Sequence, residues 1–220
     1  MTAGPLGILM LDTRFPRIEG DIGNPKSFDF PVIFRTMKGI GSADAVAAHP
    51  DRPRVLAALK ANAEALAAEG AVGLSTSCGF LALYQKELEA LSPVPVATSA
   101  LLHIRALEGR RVGVITASAQ NLTPAHLEAV GAPGDTPVEG LPTDGSFAAT
   151  FLRNGLTLDR DAVEREAVAT GRALLARHPE VDTIVLECTN LPPYKMVLQK
   201  ALGVPVFDVL DLLKSFHARL

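Results

Sequence analysis

Two cysteines, Cys78 and Cys188, are the residues of this chain best suited to chemistry, and they are its only cysteines. Each follows a short apolar run typical of a buried strand, stands among small polar residues and precedes a segment that favours a helix. A thiol at a helix N-terminus faces free N–H groups and the positive end of the helix dipole, and both lower its pKa. We therefore expect two reactive thiols, although a lone cysteine is more often a buried core residue.

The surroundings of the two cysteines repeat along the chain. Cys78 and Cys188 stand 110 positions apart, and so do the Val-Pro-Val segments that begin at Val94 and Val204. This self-similarity predicts two copies of one α/β unit. The expected fold has two pseudo-symmetric lobes, residues 1–98 and 99–220, each a parallel sheet flanked by helices, with the active site between them. The final helix is a candidate to pack back onto the first lobe.

Hydrophobic periodicity and capping residues place the elements that would position the cysteines. A Gly- and Pro-rich loop follows the first strand, at the end of the sheet where open α/β folds bind ligands. Asp161 has the spacing of an N-cap for the longest helix of the second lobe. The predicted strands lie at residues 6–11, 31–35, in the apolar run that begins at 71 and precedes Cys78, at 94–96, 111–116, near 138, at 183–186 and 204–207; the main helices lie at 51–70, 99–107, 161–177 and 208–217.

Polar residues at the strand ends are the candidate substrate ligands. Asp12 follows the first strand, and Thr116 and Ser118 hold a similar place in the second lobe. Arg14 and Arg17, in the long loop, have the side chain that binds a carboxylate bidentately. A purely structural role stays open for each of these residues: a turn or a helix cap for the aspartate and the two hydroxyl residues, and a surface position for the two arginines. The neighbours of the cysteines complete the candidate set: Ser77, Gly79, Thr189 and Asn190. Glu187 precedes Cys188, and strand alternation predicts that their side chains point in opposite directions.

Composition and missing motifs exclude several functions. The formal net charge is −3 and no basic run occurs, so binding to nucleic acid or to an anionic membrane has no electrostatic basis. No apolar stretch reaches membrane-spanning length and no export signal is visible, so we expect a cytoplasmic protein with free thiols. Zinc-binding, phosphate-binding and dinucleotide-binding motifs are absent. We therefore expect neither a metal nor a cofactor.

With the cysteines placed, the sequence resembles the aspartate/glutamate racemase superfamily over nearly its whole length. The resemblance rests on four features: Ser77-Cys78, Cys188-Thr189, Asp12 after the first strand, and the Gly-Val-Ile-Thr run that ends at Thr116. Gly79 and Asn190 stand where glutamate racemases carry other residues, so glutamate itself is not implied as the substrate. The presence of both cysteines argues against the decarboxylase branch, which keeps only the second.

The resemblance implies an isomerase: a cofactor-independent racemase or epimerase acting on an amino acid or a related small carboxylate. Cys78 and Cys188 would be two bases on opposite faces of the carbon α to the carboxylate, one as thiolate and one as thiol. Two alternatives stay open. One is a cis–trans isomerase of the maleate type that forms a covalent cysteine adduct; the other is a two-lobed protein that binds a ligand without turnover. The exact substrate and a homo-oligomeric state are also open.

Overall fold

A computed structural model describes residues 4–220, and these residues form two four-stranded parallel sheets. The strands of the first sheet are β1 (Leu6–Leu11), β2 (Val32–Met37), β3 (Gly73–Thr76) and β4 (Val96–Ala97). Those of the second sheet are β5 (Val112–Thr116), β6 (Val138–Gly140), β7 (Thr183–Leu186) and β8 (Val206–Phe207). The strand order is β2-β1-β3-β4 in one sheet and β6-β5-β7-β8 in the other, so the two lobes share one topology as predicted.

Helices cover the faces of both sheets. The α-helices are α1 (Ser42–Ala45), α2 (Arg52–Ala68), α3 (Gln85–Leu91), α4 (His103–Ala106), α5 (Pro124–Ala129), α6 (Arg160–Arg177), α7 (Lys195–Leu202) and α8 (Val209–His217). Shorter 3-10 helices lie at Pro25–Ser27, Gly79–Tyr84, Ala100–Leu102 and Pro192–Tyr194, and one π-helical turn lies at Ala148–Leu152.

The residue types explain the main elements. β1 is apolar apart from one glycine and is buried along its whole length, as a strand covered on both faces must be. In α2, Asp51 caps the N-terminus by accepting a hydrogen bond from the N–H of Arg54, and Val55 and Leu59 face the core. The predicted cap of α6 was wrong: Asp159, not Asp161, accepts from the N–H of Ala162, two residues earlier than the sequence pattern indicated.

The C-terminal helix α8 lies against the first lobe. It contacts β4, and a Cβ atom at Gly73 of β3 would lie 2.5 Å from Leu220 and 3.1 Å from the ring of Phe216, so glycine permits this close approach. The His217 ring bonds the carbonyl oxygen of Gly4 at 2.8 Å. The last element of the chain therefore connects the second lobe to the start of the first.

The two sheets meet at the carboxyl ends of their central strands. Leu11 is the last residue of β1. Cys78 lies just beyond β3, Ala117 just beyond β5, and Cys188 just beyond β7. All four residues line one cavity. This is the end of a parallel sheet where ligands bind in α/β folds. Among residues 4–220, no helix combines the length and the apolar character needed to cross a bilayer.

Candidate active site

Both cysteines line one closed cavity between the lobes. The cavity has a volume of about 20 Å³, and each thiol is free and more than nine-tenths buried. That volume holds about one water molecule. The structure therefore brings the two predicted thiols together, in a space that must widen before a substrate can enter.

Cys78 is held between β3 and a 3-10 helix. Thr76, the last residue of β3, donates its hydroxyl to the carbonyl oxygens of Cys78 and Thr98, at 2.9 and 2.7 Å. Gly79 follows, and a Cβ there would overlap both the carbonyl oxygen and the Oε1 atom of Glu187. Glycine at this position is what lets the Cys78 loop approach the opposite lobe.

Cys188 is held by a network that begins in the long loop after β1. Its thiol donates to Oδ1 of Asn190 at 3.6 Å, and Asn190 Nδ2 donates to Oδ2 of Asp21 at 2.6 Å. Asp21 Oδ1 accepts from Arg17 Nη1 at 2.8 Å. The loop is fixed further where the N–H of Ile22 donates to the carbonyl oxygen of Thr189. The loop of the first lobe thus orients the cysteine of the second.

Glu187 is the third titratable group in the cavity wall. Its side chain is fully buried, and Oε2 accepts from the hydroxyl of Thr116 at 2.8 Å. Oε1 has no hydrogen-bond partner among the described residues. Strand alternation predicts that this side chain points away from that of Cys188, yet both residues line the cavity. The reason is that β7 ends at Leu186, so both residues lie beyond the strand and the alternation no longer applies.

Burial sets the electrostatics of the thiols. It raises the pKa of Cys78 to about 12, with a further increase from the nearby Glu187 carboxylate. It also raises the pKa of Cys188 well above its usual value, and Glu187 again adds to the increase. Backbone N–H groups beside both sulfurs act in the opposite direction, as predicted, but their effect is smaller. The expected lowering of the thiol pKa is therefore wrong for the closed cavity, because desolvation outweighs the helix N-terminus.

Burial also shifts the pKa of Glu187. Desolvation raises the pKa of this carboxyl group to about 7, and the hydrogen bonds from Thr116 and from the N–H of Ala117 only partly offset it. The carboxyl group therefore changes its protonation near neutral pH, beside two thiols that hold their protons.

The structure places some of the other candidate ligands in the cavity wall and the rest outside it. Ser77, Gly79, Thr189 and Asn190 line the cavity with the cysteines. The side chain of Ser77 accepts from the N–H of Leu11, and that of Thr189 donates to the carbonyl oxygen of Ser77 at 2.7 Å, so both hydroxyls have structural partners.

The remaining candidates lie outside the cavity wall. Asp12 turns outward, where it accepts from the N–H of Gly39 and pairs with Lys38, and Arg14 is exposed. Thr116 lies behind Glu187, and Ser118 is buried in the turn that follows β5.

Arg17 lies near the cavity but is not one of its lining residues. It is paired with Asp21, and its guanidinium carbon lies 4.3 Å from the ring centroid of Phe15. It is close enough to Cys78 to lower the pKa of that thiol slightly.

Sequence reasoning missed the aromatic wall of the cavity. The ring centroids of Phe15 and Phe151 are 4.9 Å apart, and those of Phe151 and Phe147 are 4.8 Å apart. All three are buried and line the cavity. Phe15 stands between the two singled-out arginines, and the other two lie in the irregular segment that contains the π-helical turn. The only signal was a cluster of apolar aromatic residues inside loops, where polar residues are the norm.

A larger depression, of about 620 Å³, lies elsewhere. Its lining includes Arg110 before β5, Val112 at the start of β5, and Val181 before β7. It therefore opens at the amino ends of these strands, away from both cysteines.

Comparison with known proteins identifies the family of the chain. A family model described as Asp/Glu/Hydantoin racemase matches residues 96–214, which is more than half of the chain and includes the whole second sheet. A solved mutant of arylmalonate decarboxylase, with a cysteine in place of a glycine and an associated sulfate ion, aligns with a TM-score of 0.66. That alignment covers 98% of this chain and 92% of the other at 21% identity, and it shows the same fold.

Two curated relatives are named as lyases. The dimethylsulfoniopropionate lyase of Durusdinium sp. clade D is 29% identical over 223 residues, which cover 93% of this chain and 71% of that protein. Dimethylsulfoniopropionate lyase 5 of Emiliania huxleyi (strain CCMP1516) is 30% identical over 227 residues, which cover 97% of this chain. The chain spans only 45% of the length of this second relative.

Proposed function

This chain belongs to the Asp/Glu/hydantoin racemase family, and from that we propose that Cys78 and Cys188 act on the carbon α to the carboxylate of a small substrate. We propose further that the net reaction is β-elimination from a carboxylate that carries a sulfonium group on its β carbon, with 3-dimethylsulfoniopropionate as the model substrate. The names of the relatives support this choice over the isomerase that the sequence predicted.

The observation that carries the proposal is the wall of the cavity. Three phenylalanine rings lie beside the two thiols, and a methylated cation is held well by aromatic faces. One of these rings, Phe15, already has the Arg17 guanidinium against it, 4.3 Å from the ring centroid. A sulfonium ion has no N–H to donate, so it needs no hydrogen-bond acceptor in the wall.

An amino-acid substrate needs such an acceptor for its ammonium group. Asp12, one of the predicted substrate ligands, is turned away toward Gly39 and Lys38. Asp21 is occupied by Arg17, Gly23 and Asn190. Both aspartates of the long loop are thus engaged elsewhere, and Glu187 is the one carboxyl group of the described residues in the cavity wall, so an ammonium group would have to bind there.

The proposed step balances without a cofactor. A cysteine thiolate takes the proton from the α carbon, so an S–H bond forms and the C–H bond breaks. The electron pair of that bond becomes the second bond between the α and β carbons, and the bond from the β carbon to sulfur breaks. Dimethyl sulfide leaves with the electron pair of that bond, and acrylate remains. Arg17 would bind the substrate carboxylate when the cavity opens, because it is the cation that acts on Cys78.

The charge of the substrate also activates the thiols. In the empty cavity both thiols are protonated, since burial raises the pKa of each. A sulfonium ion within a few ångströms favours the thiolate and lowers that pKa. The base would therefore form only when its substrate is present.

Racemisation of an amino acid is the second candidate function, and the family model favours it. Both reactions begin with the same proton abstraction and differ in what the carbanion does next. A maleate-type isomerase would instead show a covalent cysteine adduct, and a binding protein would show no change in its ligand.

The test is to incubate the purified protein with 3-dimethylsulfoniopropionate and to measure dimethyl sulfide by gas chromatography and acrylate by NMR. A parallel panel of aspartate, glutamate and maleate in D₂O reports racemisation, exchange at the α carbon and isomerisation. We expect equal amounts of dimethyl sulfide and acrylate. Racemisation of the amino acids without release of dimethyl sulfide would contradict the elimination and support the second candidate.

A further inference from the structure

We propose that Glu187 accepts a thiol proton inside the closed cavity, so that a cysteine thiolate forms there without a proton leaving the protein. This inference rests on the proposed function of the two cysteines and adds a third residue to it. In the step, the S–H bond of Cys78 or Cys188 breaks, an O–H bond forms on Glu187 Oε1, and the negative charge moves from the carboxylate to the sulfur.

The position of Glu187 carries the inference. Of the described residues that line the cavity, only Cys78, Cys188 and Glu187 are titratable. Glu187 acts electrostatically on both thiols, and its Oε1 lies close to the backbone of Gly79, next to Cys78. One carboxyl group thus shares the wall of a narrow cavity with both thiols and acts on the pKa of each.

An unused oxygen is the second observation. A buried carboxyl group normally satisfies both oxygens, because an unpaired buried acceptor costs about 1–3 kcal/mol. Here Oε2 accepts from Thr116 at 2.8 Å, whereas Oε1 has no partner among the described residues. Oε1 is therefore the free site at which a proton can be received.

The groups that face Glu187 leave it able to change its protonation near neutral pH. Thr116 and the N–H of Ala117 come from β5 and the turn after it, and Cys78 and Gly79 come from the first lobe. The charged pair of the long loop, Arg17 and Asp21, acts on the thiols instead. Because burial raises the pKa of Glu187 to about 7, the group is available in both protonation states near neutral pH.

Charge conservation gives the physical reason for such a residue. A carboxylate with two thiols has the same net charge as a carboxylic acid with one thiol and one thiolate. Transfer within the cavity therefore adds no charge to a desolvated space, whereas direct loss of a thiol proton to water would add one. The arriving sulfonium ion then favours the arrangement with the charge on sulfur. After elimination, the proton on Glu187 leaves to water when the cavity opens for product release.

Glu187→Gln is the direct test, because the amide keeps the shape and the acceptor for Thr116 but cannot take up a proton. We expect kcat for dimethyl sulfide release to fall by about a hundredfold, with little change in KM. We also expect faster alkylation of the thiols by iodoacetamide, because the variant lacks the negative charge that raises their pKa. A merely structural role predicts that turnover and thiol reactivity fall together, or that neither changes.

Thr116→Val is the matched control, since it keeps the carboxyl group and removes only its donor. The Thr116 hydrogen bond lowers the pKa of Glu187, so its loss raises that pKa. Only the carboxylate can accept a proton, and the acid limb of the kcat profile should therefore move to higher pH. Glu187→Asp should restore part of the activity lost in Glu187→Gln.

An infrared titration separates failure of this inference from failure of the proposed function. The wild-type protein should show the C=O band of a protonated carboxyl group that titrates near neutral pH and is absent in Glu187→Gln. If no substrate turns over, the proposed elimination fails, and the infrared and alkylation results still decide the role of Glu187. A carboxyl group that stays ionised across the range, or a Glu187→Gln variant with wild-type kcat, would overturn the inference.

Discussion

Asp21 is the residue through which the long loop supports Cys188, and its substitution by asparagine should reveal that support. Asp21 is 1% exposed and accepts hydrogen bonds from Arg17 at 2.8 Å, from the N–H of Gly23 at 2.7 Å and from Asn190 at 2.6 Å. Asparagine replaces one acceptor oxygen by an NH₂ group, which then meets a donor on either Arg17 or Asn190. Arg17, whose side chain is 15% exposed, also loses its carboxylate partner.

The magnitude follows from these contacts. An unsatisfied buried donor costs about 1–3 kcal/mol, and the unpaired arginine adds to this, so we expect a total loss of about 3 kcal/mol. For a chain of this length, that corresponds to a fall in Tm of roughly 6–12 °C. Urea unfolding followed by circular dichroism measures the free energy directly. Turnover should also fall, because Asn190 no longer holds its oxygen toward the thiol of Cys188.

Asp12→Asn is the matched control, since Asp12 is an aspartate of the same loop at the surface. Its side chain is 37% exposed, accepts from the N–H of Gly39 at 3.0 Å and lies 3.6 Å from Lys38. Exposed pairs of this kind contribute less than about 1 kcal/mol. Equal losses in the two variants, or a loss below about 1 kcal/mol for Asp21→Asn, would refute the role assigned to the buried network.

Three further predictions concern the cavity wall. Burial raises the pKa of Glu187 from 4.5 to about 7, so the fold favours the protonated form. Its contribution to stability is therefore complete below about pH 4.5, and about 3 kcal/mol of it is lost as the pH rises to 7. Urea titrations should show this fall in the free energy of unfolding with pH for the wild type and not for Glu187→Gln. Gly79→Ala should destabilise the protein by about 1–3 kcal/mol and reduce turnover, because the methyl group overlaps Glu187; an unchanged Tm would contradict the close contact. Phe151→Leu should raise KM for the sulfonium substrate about thirtyfold, since a desolvated cation–π contact contributes about 2 kcal/mol; an unchanged KM would remove that ring from substrate binding.

The fold could be predicted well because its signals are local and repeated. β1 is almost continuously apolar, and the same strand–cysteine–helix pattern returns 110 positions later. Together these features indicated two parallel sheets of one topology. The cap of α6 was missed because both Asp159 and Asp161 are acceptable caps, and only the path of the chain before the helix selects between them.

The site could be predicted in part. Residues next to the cysteines line the cavity because they occupy the carboxyl ends of β3 and β7, which topology brings together. The outward turn of Asp12 could not be read from the sequence, because it depends on a long-range contact with Gly39. The sign of the thiol pKa shift was missed for a similar reason: burial is set by the docking of the two lobes, and no local pattern records it.

The central claim is that the two thiols remove the proton α to the substrate carboxylate, and the serine variants of Cys78 and Cys188 test it most directly. Dimethyl sulfide release from 3-dimethylsulfoniopropionate should be measured for the wild type and for each variant, with circular dichroism to establish folding. We expect the wild type to be active and folded Cys78→Ser and Cys188→Ser to lose about a hundredfold or more, because an alcohol is a far weaker base than a thiol. If both variants are folded and release dimethyl sulfide at the wild-type rate, the cysteines are core residues and the account is contradicted.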